Sequence, residues 1–264
     1  MAGRGAPRAL RAPPRGRSQH FLRSRALAEA IVRDAAITRD DVVVDVGAGS
    51  GRLTAALAER AALVHAIELD ESLVARLRTR YAARPNVVVV EGDALHVRLP
   101  SVPFRVVANL PFAGATAILR RLLDDSRFER ADVIVEWGVA RKWASCWPST
   151  LLGVCWGVRY EFALVRRLPA TCFEPRPSVD AGLLRIVRRA HPLVPDVEYA
   201  KFCALVRAAF RSGRVRDVAR GPAVNRAARE LGVDRSARPR DLDAHQWAGL
   251  LAAGPIRSRD SAPR

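Results

Sequence analysis

Short apolar runs rich in Val and Ile alternate with amphipathic segments along most of the chain. Such runs are typical of strands that are covered on both faces of a sheet, and the segments between them have helical periodicity. This alternation predicts a parallel, doubly wound α/β sheet. The predicted strands are Val42–Val46, Leu63–Glu68, Val87–Glu91, Arg105–Asn109 and Ala131–Trp137, and the predicted helices between and before them are Arg25–Ala36, Gly51–Arg60, Ser72–Ala82 and Ala115–Leu123.

The pattern changes towards the C-terminus. Two strand-like runs, Val158–Leu168 and Ala181–Arg188, flank a proline-rich loop, and we expect them to form an antiparallel edge of the sheet. After Pro195 the pattern becomes helical. The predicted helices of this small lobe are Val197–Phe210, Ala223–Leu231 and Asp243–Ala252.

These changes divide the chain into four expected parts. The first 17 residues are rich in Gly, Pro, Ala and Arg and contain no acid, which predicts a disordered basic arm. An α/β domain at 18–193 and a helical lobe at 194–254 follow. The residues at 255–264 are expected to form a disordered tail.

The charge balance indicates a polyanionic partner. The chain has 44 Lys and Arg against 27 Asp and Glu, a formal net charge of +17. The preference for Arg over Lys reflects a GC-rich genome, but the excess of base over acid points to RNA or DNA rather than to a membrane surface. The absence of a signal peptide, of a long apolar run and of paired cysteines predicts a cytoplasmic protein without a metal site.

A glycine loop, Gly47-Ala48-Gly49-Ser50-Gly51, follows the first predicted strand and opens a helix. Arg52 stands where a dinucleotide fingerprint would have its third glycine. Its presence disfavours a nicotinamide dinucleotide and favours S-adenosyl-L-methionine, which has no pyrophosphate to cradle.

Acidic residues lie at the ends of the next two strands: Glu68 ends the second predicted strand, and Asp93 follows the third. Glu68 could accept both hydroxyls of an adenosine ribose, and Asp93 could accept the adenine amino group. Taken alone, the first also fits a solvated strand-end acid and the second a turn-forming Asp. The three features lie at successive strand ends, where ligands bind in open α/β sheets, and this favours the cofactor interpretation.

The tetrapeptide Asn109-Leu110-Pro111-Phe112 ends the fourth predicted strand. The exocyclic amine of adenine is a poor nucleophile, because its lone pair is delocalised into the ring. The amide oxygen of Asn109 and the carbonyl of Leu110 could accept the N–H protons, with Pro111 fixing the chain direction. Phe112 could stack on a base taken out of its helix. Outside this context, the motif equally fits a strand-end turn with a core Phe.

Two further segments contribute to this picture. Gln19-His20-Phe21-Leu22 precedes the first helix and could close over the cofactor, although it also fits a simple helix lead-in. The proline-rich loop Phe173–Asp180 offers Phe173 as a second aromatic for the target base, although it could merely connect two edge strands.

In this order, the motifs QHFL, VDVGAGSG, GDA, NLPF and FEPRPSVD, together with Glu68, resemble those of the rRNA adenine N6-methyltransferases. Within that superfamily the chain is most similar to the Erm group, the macrolide–lincosamide–streptogramin B resistance methylases of 23S rRNA. The resemblance covers about residues 18–252. It implies a Rossmann-like S-adenosyl-L-methionine-dependent sheet with a small C-terminal RNA-binding lobe.

The resemblance also implies roles for individual residues. Those assigned to the cofactor are His20 and Leu22 in the pocket wall, Gly47 and Gly49 at the methionine part, Glu68 at the ribose, and Asp93 with Ala94 at the adenine. Asn109 would bridge cofactor and target amine, and Phe112 would stack on the target. Family members often have Asn at the position of His20 and Tyr at that of Phe112, and Phe keeps the stacking surface.

The implied substrate is an adenine in the peptidyl-transferase loop of 23S rRNA, either protein-free or in an assembling large subunit. The implied enzyme is a monomer that needs no metal and no membrane. Arginines of the basic arm and of the stretch Arg207–Arg220 are candidates for phosphate contacts, or else form a solvated face.

Three alternatives stay open at this point. The first is the housekeeping relative that dimethylates adenines of small-subunit (16S) rRNA. The second is a nucleic-acid-binding scaffold of the same fold that has lost its chemistry. The third is a nicotinamide-dependent oxidoreductase, which Arg52 and the Asn109–Phe112 motif disfavour.

Overall fold

The structure is a computed structural model that describes residues 19–145, 150–234 and 236–254. The predicted basic arm and C-terminal tail lie outside the described residues. Within the described ranges, every helix is too short or too polar to cross a lipid bilayer.

Strands and helices follow one another closely along the chain. The described strands are β1 (Phe21–Leu22), β2 (Val42–Val46), β3 (Leu63–Glu68), β4 (Val87–Glu91), β5 (Phe104–Asn109), β6 (Phe128–Glu136), β7 (Tyr160–Leu168), β8 (Phe173–Glu174) and β9 (Ala181–Arg188). The described helices are α1 (Arg25–Asp34), α2 (Arg52–Ala58), α3 (Glu71–Tyr81), α4 (Ala115–Asp124), α5 (Trp137–Trp143), α6 (Leu151–Gly157), α7 (Asp196–Ser212), α8 (Pro222–Glu230) and α9 (Ala244–Ala252).

Seven of the described strands form one sheet, in the order β4-β3-β2-β5-β6-β9-β7. Neighbouring strands from β4 to β6 are parallel, whereas β9 is antiparallel to both β6 and β7. The predicted parallel sheet and its antiparallel edge are therefore confirmed. Strands β1 and β8 form a separate two-stranded ribbon.

Helices cover both faces of the central strands, which explains the adjacent buried valines of β2. Val43 packs into the core beneath α1 and α2, and its neighbour Val44 packs into the core on the α4 side. Both side chains are fully buried. Successive side chains of a strand point to opposite faces, so a strand covered on both sides is apolar at most positions, and the exception in β2 is the buried Asp45.

Three local predictions need correction. Trp137, predicted to end a strand, begins α5, and strand β6 starts earlier, at Phe128. Helix α6 was not predicted, because its short apolar sequence has no decisive period. The two-residue strand β1 is too short to show any period and is defined only by its pairing with β8.

The C-terminal helices have a core of their own. Trp247 and Phe202 are fully buried there, and the indole N–H of Trp247 donates to the carbonyl of Pro239 at 3.2 Å. Val154 and Cys155 of α6 belong to the same core. Helix α6 therefore packs with the helical lobe, although it precedes two strands of the sheet.

Candidate active site

The predicted ligand-binding residues meet at one edge of the sheet. Strands β2 to β5 run parallel, so their carboxyl ends lie side by side. The glycine loop follows β2, Glu68 ends β3, Asp93 follows β4 and Asn109 ends β5. The parallel pairing of neighbouring strands thus brings together four features that are far apart in the sequence.

The glycine loop lies over the end of β3. Backbone N–H groups of Gly47 and Ala48 donate to the carbonyl of Ile67 at 2.9 and 3.1 Å. Gly49 has a φ of +54°, and a Cβ there would lie 2.5 Å from the ring of Phe21. Only glycine fits this position, because both the left-handed backbone and the ring packed above it exclude a side chain.

Glu68 is held in a single orientation. Its side chain is buried, and one carboxylate oxygen accepts the N–H of Gly49 at 2.8 Å. The other oxygen accepts the N–H groups of Leu69 and Asp70 at 2.8 and 3.0 Å. Among the described residues no cationic side chain pairs with it. Each carboxylate oxygen has two lone pairs, so one lone pair remains for a hydroxyl donor, on the oxygen that accepts Gly49.

Asp93 lies in a more open environment, with 44% of its side chain exposed. Its Oδ1 accepts the N–H of Leu95 at 2.8 Å, and Nδ1 of His96 lies 3.3 Å from Oδ2. Asp93 therefore also stabilises the turn after β4, which agrees with the alternative prediction of a turn-forming Asp. Ala94 beside it is half-buried.

Two residues at this edge, Leu69 and Phe21, were not among the predicted site residues. Leu69 follows Glu68 and is 65% exposed, an unusual position for a large apolar side chain. Phe21 covers Gly49 from above. A leucine beside the strand-end Glu68 was a usable signal for the first. Phe21 belongs to the segment 19–22 that was predicted to close over the cofactor, but only the tertiary contact shows that its ring packs on Gly49.

Asn109 carries the most informative polar atom of the site. Its side-chain N–H donates to the carbonyl of His20 at 2.5 Å. Its Oδ1 is buried and, among the described residues, has no hydrogen-bond partner. Buried polar atoms are almost always paired, so this acceptor is suited to a donor from a bound molecule.

The rest of the tetrapeptide is shaped by local contacts. The side chain of Leu110 is buried, and its N–H donates to the carbonyl of Ile134 at 3.1 Å, which leaves its backbone carbonyl as the group able to serve a ligand. The carbonyl of Pro111 accepts the N–H of Gly114 at 3.0 Å just before α4 begins. Phe112 is half-buried, with its ring centroid 5.5 Å from that of His20.

The ribbon of β1 and β8, here called the strap, connects the two flanking segments. Phe21 pairs with Glu174, and Leu22 pairs with Phe173. Nδ1 of His20 lies 2.8 Å from the carbonyl of Pro175. The strap therefore joins the glycine loop and Asn109 to the proline-rich loop.

The predicted stacking role of Phe173 does not fit this arrangement. Phe173 has no exposed surface and packs in the core beneath α1, together with Leu22. Alternation along β8 turns Phe173 inwards and Glu174 outwards. No face of Phe173 is open to a base. The side chain of Leu22 is buried in the same core and supports the strap from below, so it has almost no surface for a cofactor.

Asp45 is a buried carboxyl group beneath the glycine loop. It is 1% exposed, and the hydroxyl of Thr54 donates to it at 2.7 Å. Burial raises the pKa of Asp45 to about 7, and the nearby charge of Glu68 adds to the effect. Near neutral pH this group is therefore divided between its neutral and ionised forms.

Comparison with known proteins identifies the family. The model of the family described as ribosomal RNA adenine dimethylase matches residues 15–243. The chain belongs to this family. It is therefore an rRNA adenine N6-methyltransferase, which confirms the predicted enzyme class and the Rossmann-like methyltransferase fold.

Individual relatives of the methyltransferase fall into two groups. It is 38% identical to the mycinamicin-resistance protein MyrB of Micromonospora griseorubida, over 88% of this chain and 76% of the relative. It is 37% identical to ribosomal RNA small subunit methyltransferase A of Streptomyces coelicolor, over 90% of each chain. The crystal structure of the 23S rRNA methyltransferase ErmE is similar with a TM-score of 0.80 and 29% identity, over 88% of this chain and 98% of that one.

Proposed function

We propose that this enzyme transfers a methyl group from S-adenosyl-L-methionine to N6 of an adenine in the peptidyl-transferase loop of 23S rRNA, and so confers resistance to macrolide, lincosamide and streptogramin B antibiotics. The observation that carries the proposal is the buried, unpaired Oδ1 of Asn109 at the sheet edge. The similarity to MyrB and ErmE supports the choice of 23S rRNA.

The residues present suit the methyl donor. Glu68 would accept a ribose hydroxyl with the one lone pair that its three backbone donors leave free, on the oxygen bonded to Gly49; a second hydroxyl would have to replace one of those donors. Asp93 and Ala94 would take the adenine edge, and the exposed side chain of Leu69 would cover the face of the ring. When bound, the donor supplies an electrophilic methyl group on a sulfonium.

The tetrapeptide would then orient the target amine. Oδ1 of Asn109 and the carbonyl of Leu110 would accept the two N–H protons, which turns the nitrogen lone pair towards the methyl group. One side of the Phe112 ring is occupied by His20, so the base would stack on the other side. A side-chain general base is unnecessary, because the methylated ammonium product is strongly acidic.

The alternative substrate is small-subunit (16S) rRNA. The similarity to the Streptomyces coelicolor small-subunit enzyme, which extends over 90% of each chain, favours this second candidate. Both candidates use the same chemistry at Asn109 and differ only in the RNA that is presented.

The helical lobe, proposed at 194–254, would hold the RNA through its phosphates. Arg207, Arg211, Arg214 and Arg216 are exposed, and within the described residues none forms an ion pair with a carboxylate. Many arginines of the sheet domain are paired instead, for example Arg84 with Glu59. Unpaired arginines on one segment leave charge available for a polyanion.

The test measures methyl transfer from radiolabelled S-adenosyl-L-methionine to protein-free 23S rRNA and to 16S-containing particles, and locates the modified base by primer extension. We expect incorporation into 23S rRNA at one adenine. Asn109→Ala should reduce the rate by about 100-fold, because the target amine is no longer oriented. Thr79→Ala, at an exposed polar residue of α3, is the control and should leave the rate unchanged.

Each outcome decides between the candidates. Incorporation only into the 16S particles would replace the 23S proposal by its alternative. A wild-type rate in Asn109→Ala would refute the proposed orientation of the amine. Absence of incorporation into either RNA, with intact folding shown by circular dichroism, would refute the methyl-transfer proposal for these substrates.

A further inference from the structure

Arg121 lies on α4 and reaches across to the loop that follows β4. Its two terminal nitrogens donate separately to the carbonyls of Ala94 and Val97. The residue is half-buried, and among the described residues no carboxylate forms an ion pair with it. The guanidinium is therefore committed to two backbone carbonyls of a single loop.

The loop itself closes on Asp93. Backbone N–H groups of His96 and Val97 donate to the carbonyl of Asp93 at 2.8 and 2.9 Å, and Leu95 donates to its side chain. Just before it, Gly92 has a φ of +144°, and a Cβ there would lie 2.6 Å from Val97. These internal bonds shape the turn. Its first residue is attached to the sheet by the bond from the N–H of Gly92 to the carbonyl of Glu68 at 2.9 Å, and Ala94 and Val97 pack against the core on the α4 side.

Arg121 supplies the polar attachment of the rest of the loop, from the helix that begins after the Asn109–Phe112 tetrapeptide. Helix α4 starts at Ala115, and its entry is fixed by the bond between Gly114 and Pro111. A guanidinium with two donors in a rigid fork fixes both the distance and the rotation of the loop that it binds. A single helix thus connects the Asn109–Phe112 turn to the loop that carries Asp93.

We propose that Arg121 is a positioning residue for the methyl donor, which holds Asp93 and Ala94 at the height of the cofactor adenine. The proposal rests on the proposed role of Asp93 in binding that adenine. Loss of the guanidinium would free the loop, weaken donor binding and relax discrimination at the adenine 6-position. It would leave the chemical step and RNA binding unchanged once the donor is saturating.

The experiment compares Arg121→Met with Arg121→Lys and with Arg120→Met. Arg120 is the exposed neighbour on the same helix and serves as the matched control. Steady-state kinetics give KM for S-adenosyl-L-methionine, KM for rRNA and kcat. Calorimetry compares the affinity for S-adenosyl-L-methionine with that for its analogue in which hypoxanthine replaces adenine, and thermal unfolding monitors stability.

We expect Arg121→Met to raise KM for the donor about tenfold, which corresponds to about 1.4 kcal/mol. KM for rRNA and kcat should not change, and the preference for adenine over hypoxanthine should fall. Arg121→Lys should restore part of the affinity, because an ammonium can replace one of the two bonds. Arg120→Met should behave as the wild type.

Two results would overturn the proposal. One is an unchanged KM for the donor in Arg121→Met. The other is a parallel loss of kcat, of both affinities and of thermal stability in both Arg121 variants, which would indicate a purely structural role. Asp93→Asn separates this proposal from the one on which it rests. If that variant keeps wild-type affinity and adenine preference, the role of Asp93 fails, whatever Arg121→Met shows.

Discussion

Replacement of Asp45 by Asn should make the protein more stable at high pH and change its stability little at low pH. Asp45 is buried beneath the glycine loop, with a pKa raised to about 7 from an ordinary value of 3.8. The main cause is loss of hydration of the charged form. Asn has similar size, cannot ionise, and its side-chain oxygen can still accept the bond from Thr54.

The sign follows from comparing the folded and unfolded chains. Above its ordinary pKa the unfolded Asp45 loses its proton, whereas the folded one keeps it until about pH 7. The contribution of this group to stability therefore declines as the pH rises from about 4 to about 7 and stays low above that. The full difference is about 4 kcal/mol, of which about 2.5 kcal/mol falls between pH 5 and pH 8.

The assay is urea denaturation of the wild type and of Asp45→Asn at about pH 5 and about pH 8, followed by circular dichroism. All other titrating groups are common to both proteins, so the difference between them isolates Asp45. We expect the free energy of unfolding of the variant to gain about 2.5 kcal/mol on the wild type between the two pH values. An equal difference at both pH values would refute the reasoning.

Two further predictions concern the back of the sheet and the helical lobe. Asp132 is 1% exposed and accepts the Nε–H groups of Arg130 and Arg185, each at 2.7 Å, so Asp132→Asn should cost about 3 kcal/mol of unfolding free energy in urea denaturation. Asp217 pairs with Arg220 at the surface, so the control Asp217→Asn should cost less than about 1 kcal/mol of unfolding free energy. An equal loss in Asp132→Asn and Asp217→Asn would contradict the greater stabilisation assigned to the buried Asp132. The logarithm of the rRNA association constant, measured by filter binding, falls linearly with the logarithm of salt concentration. Arg211→Gln and Arg214→Gln should each make this slope shallower by about 0.7 to 0.9. Arg84 is paired with Glu59, so the control Arg84→Gln should leave that slope unchanged. A wild-type slope in all three variants would assign Arg211 and Arg214 to a solvated face.

Much of the fold could be predicted from local pattern, because each strand of a covered parallel sheet is a continuous apolar run. Strands β2, β3 and β4 have the predicted boundaries because each is a short run rich in apolar residues, although β4 lies at the sheet edge and is partly exposed. Errors occur where a segment is too short to show a period, as at α6 and β1. They also occur at the junction of β6 and α5, where Trp137 is compatible with either element.

The site divides in the same way. The glycine loop and Asp93 follow strands, and Glu68 and Asn109 end strands. Parallel strands end at a common edge, so the proximity of these residues follows from topology alone. Phe173 does not follow from it. Whether an aromatic in a loop faces a ligand or the core depends on its partner strand, and β1 lies far away in the sequence.

The sequence by itself determined the layered sheet, the edge at which the predicted site residues lie and the residue types available there, since periodicity and strand-end position are local properties of the chain. Only the tertiary structure decided which atoms are free to act. The unpaired oxygen of Asn109, the raised pKa of Asp45 and the two bonds of Arg121 all depend on groups from distant segments. Burial and hydrogen bonding arise from those long-range contacts, and no local pattern encodes them.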